Sequence, residues 1–75
     1  MSENQNELND LMYEVTVLLE GTLYFAGVPK RKLRDAAKAY IEAIDAALED
    51  KDLKGVDEVI EIVNYLKDNN PELFS

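Results

Sequence analysis

The sequence predicts an all-α protein: a compact three-helix bundle with a short C-terminal tail packed back on the core. Three observations carry that prediction. Three stretches repeat apolar residues at intervals of three and four, the spacing that lines one face of a helix. No stretch alternates apolar with polar residues over a strand's length, and no hairpin turn occurs. The links between the stretches are short, so antiparallel neighbours are the economical arrangement. Seventy-five residues make one helical domain, 1–75, with helices expected over 6–26, 29–50 and 53–69. A chain of this size buries only about 60% of its unfolded surface, so its core is marginal.

In the first helix Leu8, Leu11, Met12, Val15, Leu18, Leu19, Leu23 and Ala26 share one face, which is the expected core stripe. Asn6 or Ser2 suits its N-cap. Gly27 suits the left-handed residue that ends it, and Gly21 weakens its interior by about 1 kcal/mol. The second helix keeps Leu33, Ala36, Ala37, Tyr40, Ile41, Ile44, Ala47 and Leu48 in register, with Pro29 in its first turn, where the missing N–H costs nothing. Its alanines, Ala39, Ala43 and Ala46 among them, let neighbours approach closely. In the third, Leu53, Val56, Val59, Ile60, Val63 and Leu66 face inward, with Asp52 as the expected N-cap. Asn69 and Asn70 stop it before Pro71, because the residue before a proline resists the helical conformation. Leu73 and Phe74 are then expected to fold back onto the core.

Composition excludes several function classes. Cysteine and histidine are absent, which removes disulfides, thiolate chemistry, the usual zinc sites and a neutral-pH proton shuttle. No general base stands beside Ser2, Ser75, Thr16 or Thr22, so no nucleophile is activated and no enzymatic activity or cofactor is expected. The longest apolar run is far below the roughly 20 residues that span a bilayer, and the polar opening is not that of a signal peptide. A cytoplasmic protein with no membrane association is the expectation.

Charge is unevenly placed on this chain of net charge −8. Residues 1–27 carry −5, residues 28–38 carry +4, and residues 39–75 carry −7. Acidic residues fall in rows at helical spacing: Glu3, Glu7, Asp10 and Glu14 on the first helix, Glu42, Asp45 and Glu49 on the second, and Asp57 with Glu61 on the third. Neighbours in such a row lie about 5–6 Å apart, more thinly spread than the one charge per about 1.7 Å of duplex DNA. Rows from several helices, combined by dimerisation, would imitate a phosphate backbone and occupy the basic groove of a nucleic-acid-handling protein, as small phage-type inhibitors do. The ordinary role of such rows is to keep a small protein soluble. Glu42-x-x-Asp45 and Glu58-x-x-Glu61 look like the paired-carboxylate motifs of all-α nucleotide pyrophosphatases, but their order is inverted and both pairs point outward, so no metal site is expected.

The first helix has a second apolar face. Tyr13, Val17 and Tyr24 fall opposite the core stripe, with Gly21 beside them. Tyrosine offers large contact area at little entropic cost, and a glycine lets a partner backbone come close. This face is the expected partner-binding surface, for a protein partner or for a second copy in a homodimer.

The stretch Gly27-Val28-Pro29 leading to Leu33 and Ala36 resembles the second half of a helix-turn-helix. On that resemblance Lys30, Arg31, Lys32 and Arg34 contact DNA at the start of a recognition helix. The family's small residue four positions before the turn glycine is here Leu23, and the flanks are strongly negative, so direct binding to nucleic acid is the alternative rather than the leading expectation. The leading expectation is a small acidic, non-catalytic protein that binds and modulates another protein. A structural dimerisation module is the second alternative.

Overall fold

In the computed structural model, which describes residues 2–75 with side chains from Glu7 onward, three helices follow in order: α1 (Ser2–Ala26), α2 (Leu33–Leu48) and α3 (Val56–Asn69). Single 3-10 turns cover Lys30–Lys32 and Pro71–Phe74, and no strand occurs among the described residues. The all-α three-helix bundle is therefore the fold. α2 is its central helix, packing against α3 on one side and the last third of α1 on the other, while α1 and α3 meet only marginally. The core comprises Leu23 and Val28 from the α1 end, Ala36, Ala37, Tyr40, Ala43 and Ala47 from α2, and Ile62, Val63 and Leu66 from α3. Four of the five α2 members are alanines, which is why the flanking helices approach it closely.

The turn after α1 forms as its residues dictate. Gly27 takes φ 120 and donates its N–H to Tyr24 O at 3.1 Å, and Val28 N–H donates to Leu23 O at 3.0 Å. This pair of bonds is the Schellman closure, with its apolar contact supplied by the fully buried Leu23 and Val28. Pro29 lies outside the helix that it was expected to open. Lys32 N–H bonds back to Pro29 O at 2.9 Å, the first turn is 3-10, and α2 begins at Leu33. No side chain caps that start, so nothing forces an α-helical first turn.

The third helix starts later than expected. Asp50 (φ 61) reverses the chain after α2, residues 51–54 form the link, and Gly55 (φ 65, ψ −138) precedes Val56. A positive φ with that ψ is a conformation that only glycine adopts at little cost, so helix entry is fixed at Gly55 and not at Asp52. At its other end α3 stops at Asn69, with Asn70 out of the helical conformation (φ −133, ψ 54) before Pro71 as expected. The tail folds back too: Leu73 and Phe74 are half-buried against the core, and Lys67 Nζ lies 5.8 Å above the Phe74 ring.

Two helix faces depart from expectation at their rims. Ile41, Val56 and Ile60 are exposed, and Ile62 is buried in their place. The larger departure is in α1. Of its expected core stripe only Leu19, Leu23 and Ala26 reach the core, whereas Leu8, Leu11, Met12, Val15 and Leu18 stand 55–66% exposed. The cause is length. At 1.5 Å per residue α1 runs about 37 Å while α2 and α3 run about 24 and 21 Å, so α1 overhangs the bundle. The radius of gyration, 13.8 Å, exceeds the roughly 11 Å of a compact chain of this size for the same reason. No described helix is long and apolar enough to cross a membrane.

Candidate protein-binding surface

Every described residue of α1 from Glu7 to Leu18 is exposed. Between Leu11 and Leu19 the helix carries a single charge, Glu14. A helix that is apolar nearly all round is ordinarily a buried one. Here no described residue buries it.

The residues of the expected partner face are on the surface. Tyr13, Val17 and Tyr24 are exposed along one side of α1, and Gly21 lies beside them with no atom within 4 Å of where a Cβ would stand. No internal contact therefore requires a glycine at that position. The Tyr24 ring meets the Phe25 ring edge-on, centroids 5.3 Å apart and planes at 78°, so the face ends in an aromatic pair. Phe25 itself is 88% exposed, and sequence reasoning assigned it to neither face. The signal lay in its spacing from Leu18, seven positions earlier, and was masked because Leu18 was taken as core.

The acidic rows are on the surface. Glu7, Asp10, Glu14, Glu42, Asp45, Glu49 and Asp57 are exposed; Glu61 is half-buried and paired with Lys51, the one ion pair among the described residues. The Glu3 side chain lies outside the described residues. No three described acidic side chains converge as a cation site would require.

Within the basic segment Lys32 Nζ donates to the backbone oxygens of Glu72 at 2.6 Å and Ser75 at 2.9 Å, and Arg31 Nη2 donates to Ser75 O at 3.3 Å. These two side chains clamp the C-terminal turn to the start of α2. Lys30 and Arg34 remain exposed, lining an open cleft with Glu20 and Asp35. Among the described residues no charge is buried, and a large apolar helix stands uncovered, flanked by acids at one end and exposed cations at the other. No known family model, curated protein or solved structure matches the chain.

Proposed function

We propose that this chain is a non-catalytic protein-binding module that docks a partner protein along α1, with Tyr13, Val17, Gly21 and Tyr24 as the contact face. The observation that carries this reading is the uncovered stretch of α1 from Glu7 to Leu18. Leaving a leucine or valine side chain in water rather than burying it forgoes about 1.5–3 kcal/mol, and α1 leaves several in a row in a protein whose own core is small. Contiguous exposed apolar surface of this kind marks interaction sites. The exposed acids around it favour a basic partner, and a nucleic-acid-handling protein is the class that fits. Direct reading of DNA has less support, since Arg31 and Lys32 are engaged by the tail and the net charge is −8.

The test is affinity capture from cell extract with the wild-type chain and with Tyr24→Glu, alongside a duplex-DNA shift at low salt. A basic nucleic-acid-handling protein held by wild type and released by Tyr24→Glu is the expected result. Capture unchanged by Tyr24→Glu overturns the assignment of the face, and a salt-sensitive DNA shift by the pure protein overturns the choice of partner class.

A further inference from the structure

The exposed residues of α1 have an order that the tyrosine face does not account for. Leu8, Leu11, Val15, Leu18, Thr22 and Phe25 follow one another at alternating intervals of three and four, the a and d positions of a heptad repeat. All six are exposed, so the seam is open over about 25 Å of helix. Thr22 breaks the apolar run at no polar cost, because its hydroxyl donates to Leu18 O at 2.9 Å within the helix. The seam lies away from the side that carries Tyr13 and Val17, and the two faces meet where the Tyr24 and Phe25 rings pack edge-on.

We infer that this seam is covered by the same seam of a second copy, running antiparallel. The inference rests on reading α1 as a docking helix and names one of its partners. Self-complementarity is the first ground. A two-fold axis between Val15 and Leu18 sets Leu8 of one copy against Phe25 of the other, Leu11 against Thr22, and Val15 against Leu18. Every a position then meets a d position, as antiparallel helices require. Charge is the second. The N-terminal half of α1 carries Glu3, Glu7, Asp10 and Glu14; antiparallel pairing sets it beside the half that carries only Glu20 and leads to the exposed Lys30 and Arg34, whereas parallel helices would set the acidic halves side by side. Bulk is the third: the bundle sits at the C-terminal end of α1, and antiparallel pairing keeps the two bundles apart. The five apolar seam residues and the adjoining Met12 are each 55–88% exposed, so the pairing has a contiguous apolar surface to bury.

Sedimentation equilibrium across micromolar to millimolar concentration reads the association. The expected mass is twice 8.5 kDa, and Val15→Asp should weaken dimerisation roughly 100-fold. Because that variant can also fray α1, orientation is read separately. The chain has no cysteine, so single-cysteine Leu8→Cys and Phe25→Cys chains are mixed and oxidised. Antiparallel pairing gives the mixed disulfide between the two variants. A wild-type monomer at every concentration overturns the inference, and so do Leu8→Cys chains that cross-link chiefly to themselves. Either failure leaves the tyrosine face to be judged by its own capture experiment. Loss of capture specificity at Tyr24 with the mixed disulfide still forming sinks the heterologous partner and leaves the dimer.

Discussion

Leu18 and Leu23 stand five positions apart on one helix and have opposite fates: Leu23 is fully buried while Leu18 is 66% exposed. Leu23→Ala should cost about 2–5 kcal/mol, the range for a buried leucine that leaves a cavity. In dilute, monomeric protein Leu18→Ala should cost less than about 0.5 kcal/mol. Urea denaturation of both variants at low micromolar concentration checks this, and equal losses would contradict the exposed placement of Leu18. The sequence treats the two leucines alike because periodicity reports which residues share a face, not whether anything lies against it. Tyr40 offers a second residue-scale test. Burial, and then the charge of Glu58, raises its phenol above the usual 10.0. The folded state therefore holds that proton more tightly than the unfolded chain does. Its contribution is complete below the unfolded pKa and is lost as pH rises from there through the higher folded value. Stability of wild type and Tyr40→Phe should run parallel below pH ~10 and diverge above it, wild type falling faster, in urea midpoints taken across that range. Parallel curves throughout would contradict the shift.

At the scale of elements, the sequence is most legible where one residue type meets one backbone requirement. Gly27 ends α1 in a positive-φ turn, and Asn70–Pro71 ends α3, both where their chemistry demands. It is less legible where two turn-forming residues compete. Asp52 has the right side chain for an N-cap, but Gly55 alone tolerates φ 65 with ψ −138, so the helix waits for the glycine. The basic segment was obscure for another reason. Its partners are backbone oxygens 40 to 44 positions away, which no local pattern reveals. Gly21 separates local from interfacial demands. Nothing within the chain occupies the space where its Cβ would be, so Gly21→Ala should stabilise the folded monomer by about 0.5–1 kcal/mol through helix propensity. A rise in the thermal midpoint of dilute protein is the expected reading, and a fall would mean that the helix needs the glycine for its own packing. Gain in monomer stability with weaker partner binding is the pattern that a contact-face glycine produces.

For the whole molecule the question is how so small a core holds. Ten residues are buried, four of them alanines, and a 75-residue chain is close to the size at which one core is only just sufficient. The overhanging α1 holds most of the remaining exposed apolar surface, and the proposed association would use it. Whatever binds only the folded state stabilises it by mass action, so the stability of a dimer depends on its concentration. If folding and pairing of α1 are coupled, each tenfold rise in concentration adds about 1.4 kcal/mol per dimer, or about 0.7 kcal/mol per chain. For a domain of this length that corresponds to a thermal midpoint higher by about 3–6 °C per decade. Circular dichroism melts from about 5 to 500 μM span two decades and should show the full shift for wild type, whereas Val15→Asp, pairing roughly 100-fold more weakly, should melt lower at every concentration. A wild-type midpoint that stays constant across that range would mean that the bundle stands on its ten buried residues alone, with the first half of α1 contributing nothing to its stability.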